Sequence, residues 1–232
     1  MKIVFFTGAG ISKESGIETF RDSDGLWKNF KVEDVATSDA WRKNREKVLG
    51  FYNQRRKDML GKSPNQAHLL IKELEKSHEV VVITQNVDNL HEKAGSSVVL
   101  HLHGDLSKAR STFPCDWKDE IVYDWEGDVK IGDKCEKGSQ LRPHVVFFGE
   151  NLNPNILKRA QDEIRDCDVC VIVGTSMKVS PACDLPFLTK EETPIYYIDP
   201  REVDFYVPLW KEFGHIQEPA TEGMKELIQI LS

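Results

Sequence analysis

The sequence lacks the features that mark several classes of protein. Its 31 Lys and Arg residues are outnumbered by 38 Asp and Glu residues, and a net charge of −7 leaves no basic excess for a nucleic-acid surface. No apolar run approaches the roughly 20 residues that cross a bilayer. Five cysteines, an odd number, argue against a complete disulfide framework. We therefore expect a globular protein that binds neither nucleic acids nor membranes.

The N-terminus lacks the pattern of a secretory signal as well. The apolar run in "MKIVFFTGAG" is shorter than the core of a signal peptide, and no small-residue cleavage site follows it. Together with the odd number of cysteines, this predicts a cytoplasmic protein.

What the sequence does contain is a series of short runs rich in Val, Ile and Phe. Most of these runs are apolar throughout, which is typical of strands covered on both faces of a parallel sheet. Helical patterns at 65–77 and 153–166 lie between some of them, and this alternation predicts an α/β fold. The predicted strands are 2–6, 79–84, 97–102, 144–148, 168–173 and 194–198.

Small or polar residues follow each predicted strand. In order they are "TGAG", "QNVD", "HGD", "GEN", "GTS" and "DPR". One such tail is an ordinary turn, because turns favour the same residue types. All of them together favour a single ligand site at the carboxyl edge of the sheet, where open parallel sheets bind ligands. Residues 18–64 and 105–143 do not fit the alternation, and we predict that these two insertions form a small lobe over that edge.

The loop after the first run begins like a dinucleotide-binding fingerprint but does not end as one. Gly8 and Gly10 supply the first G-x-G, whereas Lys13 stands where the third glycine is expected. A dehydrogenase also needs an acidic residue about 20 positions further on, after a second strand, and residues 28–45 contain no strand pattern. Hydride transfer is therefore disfavoured.

Five blocks of the sequence together resemble the sirtuins, a family of NAD-dependent protein lysine deacylases. The blocks occur in the family's order and spacing, and they are "GAGISKESGIETFRD", "TQNVDNLHEKAG", "HLHGDL", "LRPHVVFFGE" and "GTSMKVSP". The resemblance covers nearly the whole chain and is greatest to the bacterial branch that removes acidic acyl groups. It implies one catalytic domain over residues 1–232, a doubly wound, Rossmann-like parallel sheet, and NAD as a consumed cosubstrate.

The same resemblance implies a set of cofactor contacts. Gly8 and Gly10 let the backbone approach a pyrophosphate, and amide groups there would hold its charge. Asn86 and Asp88 would line a nicotinamide pocket, although alone they suggest an Asx turn. Asp199 stands where many sirtuins have asparagine, and a carboxylate donates no hydrogen bond. The implied contacts are Gly8, Ala9, Gly10, Ser12, Phe20, Arg21, Gln85, Asn86, Asp88, Gly174, Thr175, Ser176, Asp199 and Ala220.

His103 is implied to be the general base, and Asn86 is the second catalytic residue. A pKa near neutral suits a base, but a lone histidine near a core is more often structural. His101 points in the same direction along the strand and is a useful comparison, because only His103 lies at the carboxyl end. In the family mechanism the acyl oxygen attacks C1′ of the NAD ribose as nicotinamide leaves, and the base then assists a ribose hydroxyl.

The run 144–148 resembles the segment that borders the peptide substrate in sirtuins. An extended peptide can add to such an edge through main-chain hydrogen bonds, whereas the plain alternative is a buried core strand. The residues implied to contact the peptide are Val145, Phe147 and Gly149.

A second substrate segment lies in 41–60, which we interpret as one helix. Tyr52 and Arg55 fall on its apolar stripe and match the Tyr-x-x-Arg pair with which acidic-acyl sirtuins hold a succinyl or malonyl carboxylate. The alternative is an arginine that reaches water past its apolar neighbours. Arg56, the next residue, is expected to point away and to serve as a control.

Neither cysteine pattern predicts a metal site. Cys167 and Cys170 have C-x-x-C spacing, but at the start of a strand they would point to opposite faces. Sirtuins usually hold zinc with four cysteines in the small lobe, and this insertion has only Cys115 and Cys135. Carboxylates would give a weak site in place of the missing thiolates, so we predict that zinc is absent. The carboxylates concerned are Asp116, Asp119 and Asp133.

The predicted function is removal of succinyl, malonyl and, more weakly, acetyl groups from protein lysines, with release of nicotinamide and O-acyl-ADP-ribose. The predicted partners are acylated lysine side chains. Two alternatives use the same sheet. One is an ADP-ribosyltransferase or NAD hydrolase, which cleaves NAD without deacylation. The other is a nucleotide sensor, which needs no general base such as His103.

Overall fold

The computed structural model describes residues 1–18, 26–27, 30–113 and 120–231. Its helices are α1 (Gly10–Lys13), α2 (Val32–Val35), α3 (Ser38–Lys43), α4 (Arg45–Leu60), α5 (Gln66–Leu74), α6 (Leu90–Ala94), α7 (Pro154–Arg165) and α8 (Ala220–Leu231), with a 3₁₀ helix at Ala182–Leu188. Its strands are β1 (Lys2–Thr7), β2 (Leu26–Trp27), β3 (Phe30–Lys31), β4 (Glu79–Thr84), β5 (Val99–His101), β6 (Gly104–Ser111), β7 (Val122–Asp124), β8 (Leu141–Val145), β9 (Val169–Val173), β10 (Ile195–Ile198) and β11 (Phe213–Ile216). Within these ranges no helix combines the length and the apolar character that crossing a membrane requires.

Six parallel strands form the main sheet in the order β11-β10-β9-β1-β4-β5. Counted along the chain, this order is 6-5-4-1-2-3, which is the arrangement of doubly wound dinucleotide-binding sheets. The predicted fold class is therefore confirmed. The winding reverses between β1 and β9, and ligands of such sheets bind in the crevice at the carboxyl ends of the strands there.

The prediction of 144–148 as a strand of this sheet is wrong. Only His144 and Val145 lie in a strand there, and that strand, β8, pairs antiparallel with β6 in a separate three-stranded sheet. The remaining place in the main sheet belongs to β11, whose sequence "FGHI" breaks the apolar pattern. The pattern failed because β11 is an edge strand, which is less enclosed than the central strands and needs no continuous apolar run.

Apolar side chains cover both faces of the main sheet. Ile3 and Phe5 pack with residues of α5 and α8, whereas Val4 and Phe6 pack with residues of α7 and the 3₁₀ helix. All four side chains are fully buried. Each contributes about 1.5–3 kcal/mol relative to exposure, so the central strands read as apolar throughout.

A third apolar cluster draws on both predicted insertions. Helices α3 and α4 contribute Trp41, Val48 and Tyr52, and the antiparallel sheet contributes Leu106 and Leu141. Packing of the two insertions against each other places α4 beside the segment that follows β8, at the carboxyl edge of the main sheet.

The stretch 41–60 is two helices instead of one. Asn44 separates α3 from α4 with a φ of −152°, and its side chain accepts a hydrogen bond from Lys47 N at 3.0 Å. Asparagine is a favourable N-cap and competes with the helix backbone for hydrogen bonds. The predicted stripe therefore holds within α4, and Trp41 joins the same cluster from α3.

Cys167 and Cys170 do not point to opposite faces of the sheet. Both pack in the cluster that contains Val4 and Phe6, because β9 begins only at Val169 and Cys167 lies in the preceding turn. Both thiols are free and buried, and burial raises their pKa. These properties suit core residues rather than metal ligands.

Candidate active site

A cavity of about 1120 Å³ opens at the carboxyl ends of the main-sheet strands and extends to α4 and the segment after β8. The described residues that we predicted for cofactor binding, catalysis and substrate binding all line it. They are Gly8, Ala9, Gly10, Ser12, Tyr52, Arg55, Gln85, Asn86, Asp88, His103, Val145, Phe147, Gly149, Gly174, Thr175, Ser176, Asp199 and Ala220. Phe20 and Arg21 lie outside the described residues.

The loops after β1 and β9 interlock at glycines. Gly8 N donates to Val173 O at 2.9 Å, and Gly10 N donates to Gly174 O at 2.7 Å. A Cβ on Gly10 would lie 2.6 Å from Gly174 Cα, which no real Cβ contact allows. The N–H groups of Gly8 and Gly10 are thus engaged by protein, which differs from their predicted role at a pyrophosphate. The glycines instead permit the close approach of the two loops that shape the crevice.

Asn86 and Asp88 are buried and are joined through Ser12. Asn86 Nδ2 donates to Gly8 O at 3.0 Å and to Ser12 Oγ at 3.2 Å, and Ser12 Oγ donates to Asp88 Oδ2 at 2.9 Å. Asp88 Oδ1 accepts from Leu90 N at 3.1 Å, which is the bond of an Asx turn. Burial raises the pKa of the Asp88 carboxyl. One oxygen of Asp88 therefore makes the local turn, and the other belongs to the polar wall of the cavity.

His101 and His103 lie in different surroundings. Strand β5 ends at His101, so His103 lies in the turn before Gly104 and lines the large cavity. His101 instead lines a second cavity of about 560 Å³. The prediction that the two rings share a direction is wrong, because the alternation of a strand does not continue past its end.

A hydrogen bond determines the tautomer of His103. Its Nδ1 lies 2.9 Å from Gln85 O, and a carbonyl only accepts, so Nδ1 carries the proton. In the neutral ring Nε2 then has a lone pair. Burial lowers the pKa of His103, which keeps the ring neutral at physiological pH. A neutral histidine beside a cavity is the state that a general base requires.

The carboxylate of Asp199 is buried and is engaged by Arg201. Oδ1 accepts from Arg201 N at 3.0 Å and from Nε at 2.8 Å, and Oδ2 accepts from Nη2 at 2.8 Å. Such bidentate pairing is the strong geometry of arginine and carboxylate. A ribose hydroxyl would have to share Asp199 with Arg201, which lines the same cavity. Arg201 is a cavity residue that the sequence analysis missed, and its position two residues after Asp199 was the available signal.

Tyr52 and Arg55 lie one turn apart on α4 and form the apolar end of the cavity. The Tyr52 side chain is buried, and its ring centroid lies 5.6 Å from that of Phe147. The Arg55 Cζ atom lies 5.9 Å from the Phe51 ring centroid. Burial raises the pKa of Tyr52 and lowers the pKa of Arg55 to about 10. The guanidinium is still charged at neutral pH, so this end of the cavity contains a largely desolvated cation.

Arg56 points away from the cavity, as predicted, but into the protein instead of into water. Its side chain is 1% exposed and donates to the carbonyl oxygens of Leu106, Gly127 and Lys108 at 2.7, 2.9 and 3.0 Å. The pairing register of β6 with β8 shifts between Gly104 and Ala109, and arginine donors serve carbonyls in that irregular stretch. Arg56 is therefore a structural residue and not a neutral control.

The sequence profile of the Sir2 family matches residues 8–181. The chain belongs to the Sir2 family. A Helicobacter pylori protein named NAD-dependent protein deacylase is 45% identical over 227 residues, which cover 97% of this chain and 95% of that protein. A solved Sir2 homologue in complex with NAD is 41% identical, with a TM-score of 0.85 over 99% of this chain and 89% of that chain. A Sir2 structure with a deacetylated p53 peptide and 3′-O-acetyl-ADP-ribose is 30% identical, with a TM-score of 0.80 over 98% and 92% of the two chains.

An ion pair that the sequence analysis missed holds the segment after β8 in this Sir2 family chain. Glu150 accepts from Arg142 Nη1 at 2.6 Å, from Arg142 Nη2 at 3.0 Å and from Phe147 N at 2.9 Å. The Arg142 Cζ atom lies 3.6 Å from the Phe147 ring centroid, in a cation–π contact. Together these contacts fix Phe147 against Tyr52. No apolar period predicts them, because they depend on the turn that brings Glu150 back to β8.

The predicted peptide edge is partly occupied by the protein itself. Phe148 N donates to Ala36 O at 2.8 Å, and Phe148 O accepts from Ser38 N at 3.1 Å. A peptide cannot add across Phe148 without displacing that segment. An added strand would have to use the main chain on either side, near Val145 and Gly149.

Of the two cysteines in the predicted zinc region of this Sir2 family chain, Cys135 lies within the described residues. It is buried and accepts a hydrogen bond from Ser111 Oγ at 3.3 Å. Ser111 stands where we expect a further cysteine in a sirtuin zinc site. Among the described side chains, no group of three or more His, Cys, Asp and Glu is placed to hold a metal ion. Cys115 lies outside those residues, so the absence of zinc stays a prediction.

Proposed function

We propose that this chain is an NAD-dependent protein lysine deacylase that prefers succinyl and malonyl groups to acetyl groups. Its Sir2 family membership and the Helicobacter pylori deacylase support the general activity. The observation that carries the acyl preference is that Tyr52 and Arg55 line the same cavity as His103 and Asn86. The substrates would be acylated lysine side chains, and the products would be free lysine, nicotinamide and O-acyl-ADP-ribose.

The cavity residues fit NAD as the cosubstrate. A carboxamide can donate from its NH2 group, and Asn86 Oδ1 and the Asp88 carboxylate are acceptors that line the cavity. Gln85 Nε2 donates to Thr175 Oγ1 at 2.9 Å, and both residues line the cavity, so they add an amide and a hydroxyl group to its wall. When bound, NAD supplies the ribose carbon that takes the acyl oxygen and the nicotinamide that leaves.

His103 acts as the general base in this proposal. Its Nδ1 proton is held by Gln85 O, so Nε2 is the atom that takes a proton from a ribose hydroxyl. Asn86 orients the reacting end of the cosubstrate. Its Nδ2 is taken by Gly8 O and Ser12 Oγ, so a ligand amide would meet its Oδ1.

Arg55 selects the acyl group. A succinyl or malonyl carboxylate would pair with the guanidinium in a site where burial lowers the arginine pKa, and a neutral acetyl group offers no such ion pair. Tyr52 would add a hydrogen bond from its phenol, which burial keeps protonated. Phe147, held by Arg142 and Glu150, closes the apolar side against the lysine chain.

The direct test is mass spectrometry of acetyl-, malonyl- and succinyl-lysine peptides with and without NAD. We expect NAD-dependent acyl loss, with higher kcat/KM for the acidic groups, and O-acyl-ADP-ribose among the products. Transfer of label from NAD to protein, or loss of NAD without acyl loss, would instead support an ADP-ribosyltransferase or an NAD hydrolase. Equal kcat/KM for the three peptides would overturn the acyl preference alone.

A further inference from the structure

We propose that His101 is a positioning residue of the reaction: a doubly protonated imidazolium, held between Glu92 and the main chain of Asn86, that fixes the Gln85–Asp88 loop in its working geometry. The inference rests on the function proposed above for His103 and Asn86. It assigns a role to a histidine that does not line the large cavity.

The hydrogen bonds of His101 require both ring nitrogens to carry protons. Nδ1 lies 3.0 Å from Asn86 O, and Nε2 lies 2.7 Å from Glu92 Oε1. A carbonyl and an ionised carboxylate only accept, so each nitrogen must donate. A ring that donates from both nitrogens is the charged form. The His101 side chain is 12% exposed, so the charge is held largely inside the protein.

The contrast with His103 explains why the two rings behave differently. His103 donates through Nδ1 to Gln85 O, and no carboxylate of the described residues is bonded to its Nε2, so it is the neutral base. His101 donates to the carbonyl of the next residue, Asn86, and pairs with Glu92. Two consecutive carbonyls of one loop are thus held by two histidines, and on the opposite side Gln85 N donates to Thr7 O at 2.9 Å. The orientation of Asn86 is therefore fixed from both sides.

The charged groups around His101 favour the imidazolium. Burial lowers the pKa of His101, but the bond to Glu92 on α6 and the charges of Glu92 and of Asp105 on β6 raise it above its ordinary value overall. His91, also on α6, is held neutral beside it, because burial lowers the His91 pKa and the charges of His68 and His101 lower it further. In the loop itself, the charge of His101 lowers the pKa of Asp88 and opposes the effect of burial there. Loss of the imidazolium would therefore leave one ring proton for two acceptors, Asn86 O and Glu92 Oε1, and would favour protonation of Asp88.

The test uses the full chain and two measurements on Glu92→Gln. An amide can accept from a protonated Nε2 or donate to a bare one, but it supplies no charge, so the His101 pKa should fall. Nitrogen NMR of the histidine rings should show both His101 nitrogens protonated in the wild type near neutral pH, and one protonated in the variant. The ratio of variant to wild-type kcat should fall about tenfold by about pH 8 and recover toward one as the pH is lowered, with the peptide KM little changed.

Glu73→Gln is the matched control, because Glu73 is an exposed carboxylate that pairs with Lys76 and lies outside both cavities. It should leave the His101 spectrum and the kcat ratio unchanged. His101→Gln, which keeps one donor without the charge, should lower kcat at every pH and remove the pH dependence of the ratio.

A neutral His101 ring in the wild type, a pH-independent ratio for Glu92→Gln, or wild-type kcat in His101→Gln would each overturn the inference. Failure of the proposed function is distinguishable, because a wild type without deacylase activity would still report the protonation state of His101 in the NMR spectrum.

Discussion

The main sheet differs in its buried groups from the small lobe, a name we use for α2 to α4 together with the three-stranded antiparallel sheet. Apolar clusters cover both faces of the main sheet, and its central strands are buried along their whole apolar runs. The small lobe contains Arg56, Arg110 and Arg142, which are the buried arginines among the described residues. Regularity of the backbone explains the difference. A parallel ladder pairs its own N–H and C=O groups, whereas the shifted register of β6 leaves carbonyls that Arg56 serves. Arg110 and Arg142 instead pair with Glu120 and Glu150.

The two regions should therefore be sensitive to different kinds of substitution. The main sheet should lose stability gradually when apolar contacts are removed, because many apolar side chains cover each of its faces. The small lobe depends on groups whose partners cannot be removed singly, since an uncompensated buried charge or carbonyl is costly. The proposed catalytic base belongs to the first region, and the proposed acyl selector belongs to the second.

The largest effect is expected at the carboxyl edge of the main sheet. His103→Tyr removes the proposed base, so kcat should fall roughly 10²–10⁴-fold while NAD still binds. Calorimetric binding of NAD and steady-state kinetics would separate the two quantities. Because burial lowers the pKa of His103, the wild-type kcat/KM should decline only when the pH falls below the ordinary pKa of histidine. A small loss of kcat in His103→Tyr would show that His103 is not the general base.

The next effect tests the buried charges of the small lobe. Arg56→Met removes a buried arginine that donates to three carbonyls, so the free energy of unfolding should fall by about 3–5 kcal/mol. Urea denaturation measures the loss. Lys57→Met on the same helix is the control, because Lys57 is exposed and its pair with Asp128 contributes about 1 kcal/mol or less. Equal losses in the two variants would contradict the structural role of Arg56.

The third prediction concerns Arg55, which precedes Arg56 in α4 and is proposed to select the substrate instead of stabilising the fold. Arg55→Met should cost succinyl- and malonyl-lysine about 2–4 kcal/mol of transition-state binding while acetyl-lysine turnover changes little. The ratio of kcat/KM values for the three peptides is the measurement, with Lys57→Met as the control. A uniform loss for all three peptides would mean that Arg55, like Arg56, only supports the lobe.

The fourth prediction concerns the pH dependence of stability, which should reflect two buried, neutral histidines, His68 on α5 and His91 on α6. Burial lowers the pKa of His68 to about 4 and holds that of His91 well below its ordinary value. As the pH drops from about 6.5 toward 4, the unfolded chain binds protons that the folded chain does not, so the free energy of unfolding should fall, by on the order of 2–3 kcal/mol from His68 alone. Thermal unfolding followed against pH measures it, and His68→Gln should flatten the slope. An unchanged slope in that variant would place the acid sensitivity elsewhere.

The smallest effect is expected from metal removal. If zinc is absent from the small lobe, a chelator should leave the melting temperature and the activity unchanged, because no folding energy would come from an ion. Elemental analysis of protein purified without chelator should find well under one zinc per chain. Stoichiometric zinc bound through Cys115 and Cys135 would show that the lobe is stabilised by metal as well as by arginine.

The central strands of the main sheet were easier to predict from the sequence than the rest of the chain. The central strands were located from their continuous apolar runs, which indicate burial on both faces of a sheet. The polar residues that follow these strands line one cavity, because the carboxyl ends of parallel strands meet at one edge. The edge strand β11 carries no such signal, and 144–148 is equally apolar but contributes only its first two residues to a strand, in another sheet. Apolar character reports burial and does not report which strand is the neighbour.

Side-chain environments beyond the strands were less predictable. His103 was predicted at the right edge, but its difference from His101 depends on where β5 ends and on which carbonyl each ring meets. Arg55 and Arg56 are indistinguishable by residue type, and only the irregular pairing of β6 shows why one is buried as a structural donor.

The sequence by itself determined the α/β class, the family and the set of residues at the carboxyl edge, because these depend on local composition and on the order of motifs along the chain. Tertiary structure alone decided the protonation states of His101 and His103, the engagement of Asp199 by Arg201, and the buried role of Arg56. Each of these depends on distances between atoms that lie far apart in the chain or in irregular turns, and hydrogen-bond and charge energies change over a few tenths of an ångström to a few ångströms.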